Sequence, residues 1–536
     1  MQRSRVLGVA LTGLALATAG GLALRPGAAA QVRSTAAPPS PGSAEERCAS
    51  LTGARIGPGV VERAEHVAKG TALPVAGVPF KPAAGAGFCW VHARISPEPG
   101  SMIRADAWLP DSWNGKLLGV GGAGLNGGLA LAPLTLGPLL AKGYAGAATD
   151  VGHDSAAGAK WAYHAQPKVV DWGHRGEHLT AVFAKAAIRV FYGRPAQHAY
   201  FQGCSNGGRE ALMEARRYPQ DYDGIIAGAP ASYGVGQTTA FVWHHELVAR
   251  TPGASTLDSK LKLVQDAVLK QCDQLDGVAD GLIENPQLCR FDPAKLQCKP
   301  GVSGSDCLDP GEVAVLRSIY QGPRVHGRQI SSGFPPGGEG VPGNWDAWIT
   351  SDKSIAASLG QEFFRWIVYQ DPSWTLSRFD LDKDYAAASA RLESTIDSKD
   401  PDLRAFARRG GKLIIYHGWD DAAVPAGNSL NYYDGVRRAL GSAAADHVRL
   451  FMAPGMMHCA GGPGPSSFDM LSELDRWATG GPPPERVIAS RYDNPLAALT
   501  GEHGKALQTR PLCAWPKTAH YIGTGSTDAA ENFVCR

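Results

Sequence analysis

Two patterns of apolar and polar positions predict the strands of this chain. Residues 88–110 alternate apolar with polar side chains, which is typical of antiparallel strands with one face towards solvent. Continuous apolar runs lie at 116–120, 144–151, 224–228, 412–418 and 448–452. Runs of this kind are typical of strands that are buried on both faces of a sheet.

Helical stretches alternate with these runs. Helices are predicted over residues 177–192, 210–217 and 429–440. Strands that alternate with helices favour a parallel sheet that is covered on both faces. The predicted fold class is therefore α/β.

The alternation stops after about residue 230 and resumes shortly before residue 412. Because 536 residues exceed what one hydrophobic core usually supports, we expect a main domain with a sizeable insertion. Residues 236–404, with four cysteines and little strand pattern, are interpreted as an inserted lid domain. The main domain then consists of residues 46–235 and 405–536. Most lid aromatics are expected to form the lid's own core, and a substrate cleft is the alternative.

The N-terminus has the pattern of a secretory signal peptide over residues 1–30, followed by a flexible leader over residues 31–45. Basic residues precede an apolar run from Val6 to Leu24, and Ala28–Ala30 has the small side chains of a cleavage site. An uncleaved membrane anchor is the alternative, because the run is close to spanning length. The alanine ending favours cleavage, and no later segment is apolar enough to span a bilayer. We expect a secreted or periplasmic protein that has no membrane contact after cleavage.

Composition and charge give no support for nucleic acid or a membrane surface as a partner. The chain is 44% apolar and 19% charged, as in ordinary globular proteins. A formal net charge of +2 gives no electrostatic argument for binding nucleic acid or an anionic membrane. A small, neutral or weakly charged ligand fits better, and the oligomeric state is not indicated.

Ten cysteines, an even number in a chain with an export signal, indicate disulfides. Counting alone does not give their connectivity. Local spacing suggests four pairs and leaves one distant pair, namely Cys48–Cys89, Cys272–Cys289, Cys298–Cys307, Cys513–Cys535 and Cys204–Cys459. Zinc ligation is the alternative, but the sequence has no C-x-x-C pair.

The segment Gly203–Gly207 carries the candidate nucleophile. Its sequence is Gly-Cys-Ser-Asn-Gly, and it joins a short apolar strand to the helix predicted at 210–217. G-x-S-x-G in this context forms a sharp elbow, which exposes the serine oxygen beside free helix N–H groups. Ser205 is the candidate, and a glycine-rich turn without function is the alternative.

A glycine-rich run at Gly121–Gly128 follows the strand predicted at 116–120. Glycines allow a backbone to approach a ligand and turn its N–H groups inward. At this position in a hydrolase the loop supplies an oxyanion donor. A phosphate-binding loop is one alternative, but the G-K-[ST] ending is missing. A flexible turn is the other.

His458 is the candidate base. If Cys204 pairs with Cys459, Ser205 and His458 are each one residue from a bridge whose Cα atoms lie roughly 4.4 to 6.8 Å apart. The bridge would therefore bring nucleophile and base together. His153 precedes the serine and so does not fit the hydrolase order Ser…Asp…His.

The candidate acid follows the strand predicted at 412–418. Asp420 and Asp421 both stand just past the end of this strand, where the acid of a hydrolase belongs. These motifs specify an α/β-hydrolase fold within the α/β class.

An acidic loop at 272–283 is a candidate cation site. The carboxylates of Asp273, Asp276 and Asp280, with glycines between them, suit a hard cation such as calcium. Val278 and Leu282 would add backbone carbonyls. The loop does not match an EF-hand, and an Asp-rich turn satisfied by its own backbone is the alternative.

Together these motifs resemble the tannase and feruloyl esterase family, which includes the hydrolase of mono(2-hydroxyethyl) terephthalate. The resemblance covers essentially the whole mature chain, and the paired Cys-Ser and His-Cys are its most specific parts. The matching segments are Gly203–Glu210, His417–Asp421, Gly455–Cys459, Gly121–Gly127 and the acidic loop.

The resemblance resolves two of the open alternatives. In the family motif H-G-x-x-D the acid is the fifth residue, so Asp421 is chosen over Asp420. The acidic loop is implied to bind a structural Ca²⁺, and the five cysteine pairs are those the family would have. The expected activity is carboxylic ester hydrolysis by Ser205, His458 and Asp421, with the N–H groups of Asn206 and Gly124 as the oxyanion hole.

The resemblance implies an ester of an aromatic acid as the substrate. In relatives that cleave the terephthalate monoester, a lid arginine recognises the free carboxylate. Residues 351–361 show no matching arginine, Arg365 has a different register, and Val424 stands where those enzymes carry an aromatic residue. Gallate or hydroxycinnamate esters are therefore favoured, with that monoester as the alternative. A non-catalytic binding protein and an amidase are further alternatives.

Overall fold

A ten-stranded mixed sheet organises the chain in this computed structural model. The structure describes residues 42–75, 81–154, 158–494 and 504–536. The predicted signal peptide at 1–30 lies outside the described residues, as does most of the predicted leader at 31–45.

Strands are present at each of the predicted apolar runs, together with others that the patterns did not predict. In chain order they are β1 (Arg55–Ile56), β2 (Gly59–Val67), β3 (Phe88–Ile95), β4 (Ile103–Pro110), β5 (Lys116–Val120), β6 (Ala145–Thr149), β7 (His198–Cys204), β8 (Gly224–Gly228), β9 (Arg324–Val325), β10 (Arg328–Gln329), β11 (Lys412–Gly418), β12 (Val448–Ala453), β13 (Arg486–Tyr492), β14 (Ala506–Cys513), β15 (Ala519–Tyr521) and β16 (Phe533–Cys535). The predicted runs at 116–120, 224–228 and 412–418 coincide with β5, β8 and β11.

Helices separate most of the later strands. They are α1 (Ala44–Ala49), α2 (Ala132–Leu140), α3 (Gln166–Val170), α4 (Gly176–Tyr192), α5 (Asn206–Arg217), α6 (Gly234–Arg250), α7 (Leu261–Cys272), α8 (Pro310–Gln321), α9 (Ile355–Glu362), α10 (Leu381–Ile396), α11 (Arg404–Arg408), α12 (Ala426–Leu440), α13 (Ala444–His447) and α14 (Met470–Ala478). Wider π-helical turns lie at Asp171–Arg175, Asp346–Thr350 and Phe363–Val368.

Helix α1 begins with a capping box. The Ser43 hydroxyl accepts the backbone N–H of Glu46 at 3.1 Å, and the Glu46 carboxylate accepts the N–H of Ser43 at 2.8 Å. This capping box satisfies two N–H groups at the helix start. The last residues of the range predicted as leader, 31–45, thus form the start of α1.

The sheet is antiparallel at one side and parallel at the other. Its strand order is β1-β2-β3-β4-β6-β5-β7-β8-β11-β12. The pairs from β1 to β4, and β4 with β6, are antiparallel, whereas every pair from β6 to β12 is parallel. The carboxyl ends of β5, β7, β11 and β12 therefore meet at one edge, which is where the candidate residues lie.

Helices cover both faces of the parallel part, as the continuous apolar runs predict. One core packs Phe183 of α4, Leu212 of α5 and Val436 of α12 against the sheet. The other packs Leu136 of α2 and Leu474 of α14 against the opposite face. With the turn after β7 described below, this is an α/β-hydrolase fold.

The segment between β8 and β11 is mostly helical and supplies most of the residues of two further apolar clusters. Trp345, Phe363, Phe364 and Trp374 are buried in these clusters. Phe363, Phe364 and Trp374 share their cluster with Trp161 and Trp172, which precede α4, so these aromatic residues pack partly against the main domain. The description of the inserted segment as a separate lid domain stays a prediction.

Among the described residues, no helix is both long enough and apolar enough to cross a membrane.

Candidate active site

β7 ends in a sharp turn at Ser205. This residue has φ +65° and ψ −121°, a region that few residues other than glycine adopt. A Cβ on Gly203 would lie 2.5 Å from the backbone of Gly207, so the turn closes only with glycine there. α5 begins immediately after the serine, and its first N–H groups have no intrahelical acceptor. The elbow predicted from G-x-S-x-G is therefore present.

The structure brings Ser205, His458 and Asp421 into one hydrogen-bonded path. Nε2 of His458 lies 2.8 Å from Oγ of Ser205, and Nδ1 lies 2.8 Å from Oδ2 of Asp421. When Nδ1 donates to Asp421, Nε2 is left as the acceptor for the serine hydroxyl. The arrangement can therefore remove the serine proton.

The surroundings of Asp421 keep it ionised. Its Oδ1 accepts the backbone N–H groups of Ala423 and Val424, each at 2.8 Å. Burial alone would raise the pKa of Asp421, but His458 and His417 beside it hold the pKa well below the ordinary value. An anion at this position can stabilise a charged imidazole.

Asp420, the other candidate acid, lies elsewhere. Its Cβ packs 2.8 Å from the position that a Cβ on Gly338 would take. Burial and the negative charge of Glu339 raise its pKa to about 7. The structure therefore places Asp421, and not Asp420, against the imidazole.

A disulfide between Cys204 and Cys459 lies beside Ser205 and His458. Its Cα atoms are 5.9 Å apart, and it joins positions separated by 255 residues. The other pairs are Cys48–Cys89, Cys272–Cys289, Cys298–Cys307 and Cys513–Cys535. These are the pairs expected from the sequence, and none of the described cysteines is free.

The glycine-rich loop after β5 borders the serine. The Gly122 N–H donates to Glu210, and the Ala123 N–H donates to the Asn126 carbonyl. The Gly124 N–H has no acceptor among the described residues, and Gly124 lines the same cavity as Ser205. It is thus available to a ligand.

A buried carboxylate on α5, not predicted from the sequence, holds this loop against the elbow. Glu210 accepts the Gly122 N–H and the side-chain amide of Asn206, each at 2.8 Å. Burial raises the pKa of Glu210 to about 7 and also raises the pKa of neighbouring Glu177. The signal in the sequence is the i, i+4 spacing of Asn206 and Glu210 on one helix face.

The cavity at Ser205 has a volume of about 1110 Å³. The inserted segment contributes Phe241, Trp348 and Leu359 to its lining, and β11 is followed by Val424. The Trp348 ring meets the His458 ring edge-on, with centroids 5.5 Å apart. Trp348 is therefore an insertion aromatic that faces the cavity.

Two side chains considered at the sequence level lie away from the chemistry. Nε2 of His153 is 2.8 Å from the Leu125 carbonyl, and burial lowers its pKa to about 4. Arg365 donates to the Trp374 carbonyl at 3.0 Å. His153 is thus not the base, and Arg365 is not among the residues that line the cavity.

The acidic loop folds around its own backbone. The Asp273 carboxylate accepts the N–H groups of Asp280 and Gly281, and Asp280 pairs with buried Arg510. Oδ2 of Asp276 is buried without a partner, and burial raises its pKa to about 6. Within the described ranges, no three His, Cys, Asp or Glu side chains converge as metal ligands. A cation here would therefore need backbone oxygens as well.

Comparisons with known proteins identify the family of this chain. The sequence profile of the family "Tannase and feruloyl esterase" matches residues 89–536. An uncharacterized esterase of Xanthomonas campestris is 35% identical over 494 residues, or 84% of each chain. Mono(2-hydroxyethyl) terephthalate hydrolase of Piscinibacter sakaiensis is 33% identical over 493 residues, or 80% of each chain.

Solved structures show the same fold. The crystal structure of an esterase from Aspergillus oryzae is 25% identical, with a TM-score of 0.83, and the match covers 92% of this chain and 100% of that one. This chain belongs to the tannase and feruloyl esterase family and is a carboxylic ester hydrolase of that family.

Proposed function

We propose that this protein is a secreted serine esterase that hydrolyses esters of phenolic acids by way of an acyl-enzyme. The observation that carries the proposal is the path from Ser205 through His458 to Asp421, with 2.8 Å at each hydrogen bond. Five disulfides support secretion, since such bonds persist in oxidising compartments.

The mechanism follows from these positions. His458 takes the proton of Ser205 while Oγ attacks the ester carbonyl carbon, and Asp421 stabilises the resulting imidazolium. The imidazolium then gives its proton to the leaving alcohol, and the acyl group stays on Ser205. A water molecule attacks the acyl-enzyme, His458 takes its proton, and the acid is released.

The oxyanion that forms in both steps requires hydrogen-bond donors. The N–H of Asn206 opens α5, and the N–H of Gly124 has no acceptor among the described residues. We assign these two groups as the oxyanion hole. Each such donor lowers the barrier by roughly 3 kcal/mol in comparable enzymes.

The charges of the cavity favour a neutral acyl group. Its described lining includes the cations Arg209 and Lys142, and both already have partners. Arg209 donates to the Asn206 side chain and to backbone carbonyls, and Lys142 pairs with Asp469 at 3.2 Å. A free terephthalate carboxylate would lack a counter-ion, whereas a phenolic ring suits the apolar wall of Phe241 and Trp348.

We also propose that the acidic loop binds a structural Ca²⁺. Its available donors are oxygens, and the unpaired Asp276 Oδ2 is a buried group that a cation would satisfy. Asp273, Asp276 and Asp280 would bind through carboxylates, and Val278 and Leu282 through backbone carbonyls. Removal of calcium with a chelator should lower the melting temperature. In Asp276→Asn the same treatment should have a smaller effect, and an equal effect would contradict this assignment.

The main proposal is tested by initial rates on methyl gallate, methyl ferulate, the terephthalate monoester and p-nitrophenyl acetate. Turnover of a phenolic ester well above the acetate, lost in Ser205→Ala, is expected. A preference for the terephthalate monoester would overturn the substrate class. Activity that survives in Ser205→Ala would overturn the mechanism.

A further inference from the structure

The cavity at Ser205 extends beyond the part that the inserted segment borders. Its volume of about 1110 Å³ lies above the roughly 300–1,000 Å³ of most ligand pockets. Leu134 and Pro138 of α2 and Ile488 of β13 also line it, and they lie outside the inserted segment. A second region of the cavity therefore lies between α2 and β13.

The floor of this second region consists of strand side chains. They are Val120 of β5, Gln202 of β7, Ile226 of β8 and Tyr416 of β11. We call the part of the cavity above these four side chains the sheet lobe. These four strands are neighbours in that order. Because side chains alternate along a strand, Gln202 points to the same face as Tyr200, which is the face covered by α2 and α14.

The absence of a side chain at Gly228 gives Tyr416 its position. A Cβ on Gly228 would lie 2.2 Å from the Tyr416 ring and 2.3 Å from its hydroxyl oxygen. The ring also meets Phe468 edge-on, with centroids 5.0 Å apart. The sheet lobe therefore has an aromatic floor and wall, beside the apolar side chains of α2.

Two polar groups of the floor have no partner. Neither the Tyr416 hydroxyl nor the Gln202 side-chain amide makes a hydrogen bond within the described part of the chain, and both residues are partly accessible. Tyrosine and glutamine can each donate and accept hydrogen bonds. A hydroxyl group on a ligand ring would satisfy them in a setting that is otherwise apolar.

The direction of the reaction places the alcohol half of an ester towards the sheet lobe. Ala460 and Phe468 line the cavity and belong to the loop that follows His458, and the Phe468 ring packs against Tyr416 of the sheet lobe. His458 protonates the leaving alcohol, so the alcohol oxygen must lie on the side of this loop. Gln202 precedes Ser205 by three residues, which is about 10 Å along a strand.

We propose that the sheet lobe binds a hydroxylated aromatic ring carried by the alcohol half of the substrate. The inference rests on the proposed esterase activity and deepens it. The preferred substrates are then esters in which the acid and the alcohol each carry a ring.

The test compares 2-(4-hydroxyphenyl)ethyl ferulate with 2-phenylethyl ferulate, which differ in one alcohol-side hydroxyl. Wild-type protein should show a KM for the hydroxylated ester that is lower by up to about tenfold. Tyr416→Phe and Gln202→Leu should each bring the KM ratio towards one. The matched control is Tyr432→Phe, which removes a buried hydroxyl that also lacks a partner but lies in the core, and it should keep the ratio. A KM ratio near one in the wild-type protein overturns the proposal. So does a KM ratio that Tyr416→Phe and Gln202→Leu both leave unchanged.

Calorimetric binding of 4-(2-hydroxyethyl)phenol to Ser205→Ala separates this proposal from the proposed function. If the wild-type protein hydrolyses no ferulate ester, the proposed function is overturned. If Tyr416→Phe then still weakens binding of the phenol, the sheet-lobe proposal is supported. Ferulate hydrolysis together with binding that Tyr416→Phe leaves unchanged would overturn the sheet lobe alone.

Discussion

At the scale of single residues, the neighbours Asp420 and Asp421 show how surroundings decide the charge of a carboxyl group. Asp421 accepts two backbone N–H groups and contacts two histidines, and its pKa is lowered. Asp420 has a raised pKa, because burial and Glu339 both disfavour its anion. Of the two, Asp421 is the one suited to stabilise a positive imidazole.

Asp421→Asn should lower kcat by about 10⁴, because an amide favours the wrong tautomer of His458. Asp420→Asn is the matched control, and its kcat should stay within a few-fold of wild type. Steady-state kinetics on the best phenolic ester measure both. A large loss in Asp420→Asn with none in Asp421→Asn would reverse the assignment.

Asp420 should also make stability depend on pH. Its pKa is raised from 3.8 to about 7 in the folded protein, so the folded state binds this proton more tightly than the unfolded state. The stabilisation is complete below about pH 4 and is lost as pH rises through 7, at up to about 1.4 kcal/mol per pKa unit. Relative to wild type, Asp420→Asn should therefore gain free energy of unfolding between pH 5 and pH 8. Denaturant unfolding at both pH values measures this, and an unchanged difference would refute the raised pKa.

Sequence motifs locate the residues whose chemistry needs a fixed neighbour in the chain. Ser205 was found because the elbow requires glycine at nearby positions, and His458 because a cysteine adjoins it. Glu210 was missed, since its partner Gly122 comes from a loop distant in sequence. Whether Asp420 or Asp421 faces the base likewise depends on how the turn after β11 folds.

At the scale of elements, α5 and the glycine-rich loop form the two sides of the proposed oxyanion hole. Glu210 connects them, because one carboxylate accepts N–H groups from both. Arg209 fixes the same helix by donating to the Trp172 and Gly173 carbonyls. The position of the donors thus depends on a buried contact that does not touch the substrate.

Glu210→Ala should lower kcat by about 10², near the low end of the loss caused by removing one oxyanion donor, with a smaller change in KM. Glu210→Gln should recover part of the activity, since its amide oxygen still accepts one N–H group. The control on the same helix is Glu214→Gln, which replaces a carboxyl group that is also buried and whose pKa is raised by burial. Equal losses of kcat in Glu210→Ala and Glu214→Gln would indicate a structural role only.

The strands that are buried on both faces of the sheet were predicted with the most accurate bounds, because a continuous apolar run marks such a strand. β5, β8 and β11 have the predicted bounds, whereas α12 starts at Ala426 and not at 429. Pro425 is its N-cap, and its first turn, residues 426–429, has no large apolar side chain that the apolar pattern could register. Helix starts depend on single capping residues, which periodicity does not register.

At the scale of the whole molecule, the Cys204–Cys459 bridge ties the ends of two strands that are distant in sequence. β7 and β12 are separated in the sheet by β8 and β11, yet the loops after them meet at Ser205 and His458. The bridge joins those loops across 255 residues.

Replacing Cys204 and Cys459 together with serine should reduce kcat/KM strongly and also lower the melting temperature. The matched control is Cys298→Ser with Cys307→Ser, which removes a bridge spanning 9 residues in the inserted segment. That control should retain activity, and its loss of stability should be smaller, because a short loop constrains the unfolded chain less. Similar activity in the two double variants would show that the active-site bridge is dispensable.

The long span of this bridge has a consequence for biosynthesis. If the chain is exported as proposed, Cys204 emerges well before Cys459, and the intervening Cys272, Cys289, Cys298 and Cys307 are available to it first. Oxidation in order of emergence would then trap mispaired chains, whose correction by thiol exchange takes seconds to hours. Active protein should therefore accumulate fastest in hosts with a disulfide isomerase. The amount of active enzyme should correlate more closely with the amount of isomerase than with the amount of the enzyme's transcript.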